Sequence, residues 1–118
     1  MCSRFNLERV RFANTGTEAN LHVLNAARRF TGKSKVVVFT AGYHGAVLSF
    51  PAPKGFAPNN VDQGSWIVAE YNDIESAKAA IAQDDVAAVI VEGLQGAGGC
   101  VVGTKEFLTA VQDTAKKV

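Results

Sequence analysis

The order of strands and helices along the chain is the feature that most limits its fold. Short apolar runs, rich in valine, alternate with longer segments in which apolar residues recur at helical spacing. Four runs are predicted strands: residues 10–13, 35–39, 66–70 and 86–92. Three segments are predicted helices: residues 17–31, 74–82 and 105–117. Because strands separated by helices pair through crossovers, the sequence predicts an α/β fold with a mainly parallel sheet and flanking helices.

Two of these elements have patterns that predict what they bury. The second strand, K-V-V-V-F, contains three consecutive valines, which is typical of a strand covered on both faces. In the first helix one apolar stripe is expected to face the core: Ala19, Val23, Ala26, Ala27 and Phe30. That helix is predicted to end at Gly32, and the proline-containing segment 51–64 is predicted to be a loop or flap.

Composition excludes several classes of protein. A chain of 118 residues with 47% hydrophobic residues is long enough for one ordered domain, residues 1–118. Its formal net charge of +1 gives no basic surface for nucleic acid or an anionic membrane, and no apolar stretch approaches the ~20 residues of a membrane span. Cys2 and Cys100 are too few for a disulfide scaffold and lack a metal-binding spacing. We therefore expect a cytoplasmic protein without nucleic acid or membrane partners.

The stretch of residues 14–20, N-T-G-T-E-A-N, stands where a predicted strand meets a predicted helix. One interpretation is a capping box, in which Thr15 caps the helix and Glu18 reaches back. Capping does not explain Gly16, because glycine within a helix is about 0.5–1 kcal/mol less favourable than alanine. A bare backbone at a helix N-terminus lets a phosphate approach closely, and Thr17 adds a hydroxyl. The local chemistry leaves both interpretations open.

Two further strand ends carry aromatic or charged groups. Residues 41–45, A-G-Y-H-G, follow the second predicted strand and hold Tyr43 and His44 between glycines, and Glu92 ends the fourth strand. An ordinary turn and a merely solvated carboxylate are the alternative interpretations. The carboxyl ends of parallel strands meet at one crevice. A phosphate turn, a stacking ring and a carboxylate would together describe a site for a planar phosphorylated cofactor.

Two common phosphate motifs are excluded by their context. The Gly-Lys-Ser sequence at residues 32–34 resembles the end of a Walker loop, but Ala27 stands where that loop needs a glycine. The glycines that follow residue 95 lack the last glycine of the dinucleotide fingerprint, since Val101 stands there. The turn within residues 14–20 is the remaining candidate for a phosphate.

Four segments carry a family resemblance by their order and spacing: V-R-F-A-N-T-G-T-E-A-N, A-A-R-R-F-T-G-K-S-K-V-V-V-F, G-Y-H-G and V-A-A-V-I-V-E-G-L-Q-G-A-G-G-C. They resemble the class III pyridoxal phosphate-dependent aminotransferases, nearest the branch of glutamate-1-semialdehyde 2,1-aminomutase, over nearly the whole chain. The resemblance implies the central part of a fold type I large domain, incomplete at both ends. It also implies pyridoxal 5'-phosphate (PLP) as cofactor, amino-group transfer between small molecules, and a homodimer when the enzyme is complete.

The resemblance further implies roles for single residues. Six of them match cofactor-binding positions: Thr15, Gly16 and Thr17 at the phosphate, Tyr43 and His44 at the pyridine ring, and Glu92 beneath the cofactor. Two positions depart from the family. Gly93 stands where proline is usual, which leaves the direction of Glu92 open, and Ala97 stands where many ω-aminotransferases carry a gating glutamate.

The family's chemistry needs a lysine bonded to the cofactor and an aspartate at the pyridine nitrogen. The resemblance places both beyond the segment that matches residues 105–117, so no catalytic residue is assigned and this chain alone is expected to be inactive. Three interpretations follow: a segment of a complete enzyme, a non-catalytic remnant that binds a phosphorylated ligand or pairs with an intact relative, and a folded module without a ligand.

The family's sheet order has a consequence for burial. The strand that matches residues 10–13 does not neighbour the other three, because strands encoded further along lie between them. Some apolar side chains are then expected to be partly uncovered: Val36, Val38, Val89 and Val91.

Overall fold

The structure is a computed structural model that describes residues 1–46, 48–50 and 63–118. Its helices are α1 (Cys2–Phe5), α2 (Gly16–Thr31), α3 (Ile74–Ile81) and α4 (Lys105–Ala115). Its strands are β1 (Lys35–Phe39), β2 (Gly42–Tyr43), β3 (Ser49–Phe50), β4 (Trp66–Ala69), β5 (Val86–Val89), β6 (Leu94–Gln95) and β7 (Val101–Val102). A 3₁₀ turn at Gln63–Ser65 leads into β4.

The main sheet has three parallel strands in the order β4-β1-β5, which confirms the predicted α/β class. In the register of the sheet, Val37 lies between Ile67 of β4 and Val89 of β5. β4 and β5 are shorter than predicted, although the amide of Ile90 still donates to the carbonyl of Val37 at 2.9 Å. Two short antiparallel pairs, β2 with β3 and β6 with β7, follow the carboxyl ends of β1 and β5.

β1 is the central strand, and both of its faces are covered as its valine run predicts. Val37 and Phe39 pack on one face with residues of α3 and α4. Val36 and Val38 pack on the other face with Leu24 of α2. The expectation that Val36 and Val38 are partly uncovered is therefore wrong: both are fully buried, because Leu24, Leu48 and Phe50 pack on this face and β4 and β5 close both edges of β1. Val89 and Val91, at the edge of the sheet, are partly exposed as expected.

The predicted strand at residues 10–13 is not formed. These residues have no regular secondary structure, and all four are exposed. A strand requires the backbone groups of a neighbouring strand, and no strand of the described part of the chain lies beside them. α2 nevertheless starts where a helix was predicted, one residue earlier at Gly16.

The face of α2 that packs on the sheet differs from the predicted one. Val23 and Phe30, expected in the core, are 63% and 93% exposed, whereas Leu24 is 3% exposed. One turn after Leu24, the Arg28 guanidinium lies 5.7 Å from the ring centre of Trp66, and its Nε donates to the Ser34 carbonyl at 2.7 Å. The contacts of Arg28 and Leu24 set the orientation of the helix on the sheet. The more continuous apolar stripe, which includes Val23 and Phe30, therefore faces away from the sheet.

Two other expectations concern the loop at residues 51–64 and membrane spans. The predicted loop at residues 51–64 falls mainly outside the described residues. Within the described residues, no helix is both long enough and apolar enough to cross a membrane.

Candidate functional site

The start of α2 has the predicted Thr15 cap, while the reach-back of Glu18 goes to a different amide from that of a standard capping box. Thr15 has an extended backbone, with φ −139° and ψ 159°, and its Oγ1 accepts a hydrogen bond from the amide of Glu18 at 3.1 Å. The Glu18 carboxylate accepts from the amide of Asn14 at 2.8 Å, one residue before the cap itself. The cap is therefore a structural role that Thr15 fulfils whether or not a ligand binds.

Beyond the cap, the first turn of α2 leaves room for an anion. A Cβ placed on Gly16 would meet no atom within 4 Å, so the space beside this backbone is open. The amides of Gly16 and Thr17 donate to no oxygen of the described residues. Free amides at the positive end of a 16-residue helix are suited to a phosphate oxygen. The backbone therefore has the properties that a phosphate turn needs.

The turn after β2 lies directly against this first turn of α2. The Thr17 Oγ1 accepts from the amide of Ala46 at 3.1 Å, and the Asn20 Nδ2 donates to the carbonyl of His44 at 2.7 Å. Gly45 has φ +130°, and a Cβ there would lie 2.8 Å from the Cβ of Thr17. Glycine is therefore required at residue 45 both by its backbone conformation and by the close approach to α2.

Tyr43 and His44 differ in exposure, although they are adjacent. Tyr43 ends β2 and is 49% exposed, so its ring is available to a planar ligand, whereas His44 is 8% exposed. The centre of the imidazole lies 6.4 Å from the ring centre of Phe50 in β3. Burial lowers the pKa of His44 from its ordinary value, and the nearby Glu92 carboxylate opposes this with a smaller upward effect. The buried environment of His44 therefore favours the neutral imidazole.

Glu92 joins this group from the segment that follows β5, three residues beyond the end of the strand. Its Oε2 accepts from the amide of Tyr43 at 3.0 Å. A Cβ placed on Gly42 would lie 3.2 Å from His44 Nε2 and 3.8 Å from the Glu92 Oε2, so these two side chains converge at Gly42. The structure thus brings together residues from two strand ends that the sequence could only place at the same edge.

Three residues that organise this region have no role assigned from the sequence: Asn20, Tyr71 and Gln95. Asn20 links α2 to the turn after β2. Tyr71 Oη donates to the carbonyl of Glu92 at 2.7 Å. Gln95 is buried, and its Nε2 donates to the carbonyl of Thr40 at 2.8 Å. For Asn20 and Gln95 the sequence signal is a polar residue within a recognised motif, whereas Tyr71 lies outside the motifs and has no such signal. The partners of all three are distant in the chain.

The whole chain, residues 1–118, matches the family model described as aminotransferase class-III. It is 46% identical to the β-phenylalanine transaminase of Variovorax paradoxus, with 100% of this chain and 27% of that protein covered. It is 38% identical to a glutamate-1-semialdehyde 2,1-aminomutase of Rhodopirellula baltica, with 95% and 28% covered.

Solved structures of similar proteins have the same fold. The β-phenylalanine aminotransferase from Variovorax paradoxus superposes with a TM-score of 0.87 at 43% identity, covering 99% of this chain and 27% of that one. The ornithine aminotransferase of Toxoplasma gondii, described with partial occupancy of PLP at its active site, gives a TM-score of 0.83 at 26% identity, covering 99% and 30%. The chain therefore spans less than a third of the length of these relatives.

Proposed function

The chain belongs to the class-III aminotransferase family, and from this premise we propose that it is the PLP-binding segment of an enzyme that transfers amino groups. The proposal includes its assignment, residues 1–118, to the central part of a PLP-binding large domain. One observation carries the proposal: the free amides at the start of α2 are joined through the Thr17–Ala46 hydrogen bond to the turn that holds Tyr43 and His44. The phosphate end and the ring end of a single ligand could thus be bound by adjoining parts of this chain.

The residues present fit PLP. The open space beside Gly16 and the amides of Gly16 and Thr17 would bind the phosphate, and the exposed face of Tyr43 would stack on the pyridine ring. When bound, PLP supplies an aldehyde and an electron-withdrawing ring, and the protein supplies binding and orientation. In this proposal Thr15 shapes the turn by capping α2.

His44 and Glu92 would support the ring-binding side of the site. The buried imidazole of His44, whose lowered pKa favours the neutral form, would stiffen the turn next to Tyr43. The Glu92 carboxylate would hold the backbone of Tyr43 through the 3.0 Å hydrogen bond that it accepts from the Tyr43 amide. This hydrogen bond would also keep the carboxylate near the carboxyl end of β5. Both act on the position of Tyr43, which is the group that would touch the cofactor.

The lysine and the aspartate that complete the family's chemistry are expected outside the segment matched here. Lys33 and Lys35 lie at the start of β1, where their Nζ atoms donate to the carbonyls of Val118 and Asp84, and Tyr43 follows the opposite end of that strand.

We propose that the transfer takes place in a homodimeric, cytoplasmic enzyme whose longer chain supplies both groups and which acts on a small-molecule amino donor and acceptor.

The open space and the amides beside Gly16 would suit any phosphorylated ligand, so they are equally compatible with the alternative function, a non-catalytic remnant that binds a phosphorylated ligand or pairs with an intact relative. Both functions use the same phosphate turn. Borohydride reduction after mixing with PLP separates them in any longer protein that carries this segment: one stoichiometrically trapped lysine supports the enzyme, and no trapped lysine supports the remnant. In the 118-residue chain itself we expect none, since a specific adduct needs a lysine in a desolvated site.

The experiment that tests the proposed site compares PLP with pyridoxal, which lacks the phosphate, by calorimetric titration of the chain. Gly16→Val should weaken PLP binding at least ~10-fold, a change of about 1.4 kcal/mol, while leaving pyridoxal binding unchanged. Tyr43→Ala should weaken both ligands. Ala79→Val is the control, since it places a β-branched side chain at an exposed position of α3. Equal affinity of the Gly16→Val variant and the unsubstituted chain for PLP would leave the first turn of α2 with only its capping role.

A further inference from the structure

We propose that Tyr71 is a positioning residue that, together with Gly103, fixes the backbone of Glu92 and so directs its carboxylate to the amide of Tyr43. The importance of this direction for a cofactor rests on the proposed function, but the positioning itself does not. The segment at stake is short: residues 90–93 connect β5 to the β6–β7 hairpin, and Glu92 and Gly93 are its last two residues.

Two consecutive carbonyls of this segment are bound from the same side of the molecule. Tyr71 Oη donates to the carbonyl of Glu92 at 2.7 Å, and the amide of Gly103 donates to the carbonyl of Gly93 at 2.9 Å. Gly93 itself has no side chain, and a Cβ placed there would meet nothing within 4 Å. A glycine in an open position gives the chain conformational freedom just after Glu92. The two hydrogen bonds remove that freedom.

The hydroxyl of Tyr71 is held in place by the core. Its ring packs edge-on against Phe107 at 5.1 Å and against Phe39 at 6.2 Å between ring centres, and those two phenylalanines are themselves 5.2 Å apart. The amide of Tyr71 also donates to Thr40 Oγ1 at 3.3 Å. A donor fixed by two buried aromatic rings can define the position of its acceptor, as a supporting residue for a site must.

Gly103 is required for this arrangement by space. A Cβ there would lie 2.7 Å from Tyr71 Oη and 3.2 Å from the carbonyl oxygen of Gly93. Gly103 is buried, and its backbone is not in the left-handed region that favours glycine. Its small size is therefore what lets the tyrosine hydroxyl and the Gly93 carbonyl approach the same point.

The chemistry of Tyr71 suits a permanent donor. Burial, and to a smaller extent the charge of Glu92, raise the pKa of the Tyr71 hydroxyl. The phenol therefore stays protonated throughout the neutral range and donates its hydrogen to the Glu92 carbonyl. A fixed Glu92 backbone also fixes the base of the Glu92 side chain. The Oε2 of that side chain accepts from the amide of Tyr43 at 3.0 Å.

Amide hydrogen exchange of the 118-residue chain, followed by NMR, tests the proposal without a cofactor. Tyr71→Phe keeps the ring contacts and removes only the hydroxyl. We expect the amide of Tyr43 to exchange about 10-fold faster in this variant, while the amide of Ile90, which donates to Val37 in the sheet, keeps its rate. Gly103→Ala, which displaces the hydroxyl, should give the same selective change and is the second variant if Tyr71→Phe does not fold.

The control is Ile81→Val, which weakens the same core at a fully buried position of α3 and leaves Tyr71 with its hydroxyl and both aromatic neighbours. It should accelerate exchange at Ile90 and Tyr43 by similar factors through lower overall stability. The proposal is overturned if Tyr71→Phe leaves the Tyr43 amide unchanged, or if it accelerates both amides equally. PLP affinity is read separately: a selective effect at Tyr43 with unchanged PLP affinity would keep the positioning role and remove Glu92 from the proposed cofactor site.

Discussion

The first 13 residues and the main sheet both contain large apolar side chains, yet only the sheet buries them. Phe12 is 75% exposed and Phe5 is 59% exposed, whereas Phe39 of β1 is 1% exposed, and Phe107 of α4, which packs on the sheet, is fully buried. The residue type is the same in both regions. The difference lies in the neighbours, because β1 has strands on both sides and helices on both faces, while residues 6–13 have no regular structure and pair with no described strand.

The comparison teaches that hydrophobicity indicates what a segment can bury and not what it does bury. The same lesson holds within α2, where Leu24 packs on the sheet and Phe30 points away from it. Scattered apolar residues on a protein surface are normal, but here they are concentrated on one helix face and in the segment before it. These surfaces are the part of the molecule in which sequence patterns and structure disagree.

The most direct test of the comparison removes one phenylalanine from each region. Phe39→Ala should lower the free energy of unfolding by about 3–5 kcal/mol, because it deletes a buried ring that contacts Tyr71 and Phe107. Phe12→Ala should change it by less than ~0.5 kcal/mol, as expected for an exposed side chain. Urea denaturation measures both. A similar loss in the two variants would mean that residues 6–13 are packed in solution.

A second prediction concerns the contact between the first turn of α2 and the turn after β2. Gly45→Ala should destabilise the chain by about 2–3 kcal/mol, because a positive φ costs roughly 1–3 kcal/mol in a residue with a Cβ and the methyl group would also press on Thr17. Gly99→Ala is the matched control, since Gly99 has φ +102° but open space around it. The difference between the two variants isolates the contact with Thr17, and equal effects would show that only backbone strain matters.

Much of the fold could be predicted because its signals are local. The valine run of β1 and the alternation of strands with helices are properties of neighbouring residues, and they gave the parallel sheet. The Thr15 cap of α2 is local in the same way, since Thr15 and Glu18 are three residues apart. The strand at residues 10–13 failed because its formation depends on a partner strand, which no local pattern can supply.

The candidate site shows the same difference between local signals and contacts with residues distant in the chain. Family motifs identified Tyr43, His44 and Glu92, and the structure confirms that they lie together. Whether they bind PLP stays a prediction. The residues that hold the site in place were missed, because Asn20 is 24 residues from its partner and Tyr71 is 21 from its own. Such hydrogen bonds appear only when the strand ends are brought together in three dimensions.

A third prediction follows from the hydrogen bond between Asn20 and the carbonyl of His44. Asn20→Ala should lower stability by about 1 kcal/mol, since a buried carbonyl loses its donor, and should loosen the turn that carries Tyr43. Asn25→Ala is the control, because Asn25 is exposed on the same helix. Urea denaturation gives the stability and PLP titration gives the effect on the site. Equal stability of the two variants would contradict a specific role for Asn20.

The smallest expected effect is on the ionisation of His44. Because His44 is buried in the candidate site, its response to pH reports on the site and not on the exposed residues 6–13. Burial holds the pKa of His44 below its ordinary value of 6.5, and Glu92 partly offsets this. As the pH falls, the unfolded chain therefore takes up the proton first, so the contribution of His44 to stability is complete above about pH 6.5 and is lost as the pH falls through its folded-state pKa.

Glu92→Gln removes the charge but keeps an oxygen that can accept from Tyr43, so it should lower the pKa of His44 further. Glu106→Gln, at the exposed start of α4, should leave it unchanged. NMR titration of the imidazole protons measures the shift, and a pKa of His44 that rises or stays constant in Glu92→Gln would show that the two side chains do not interact.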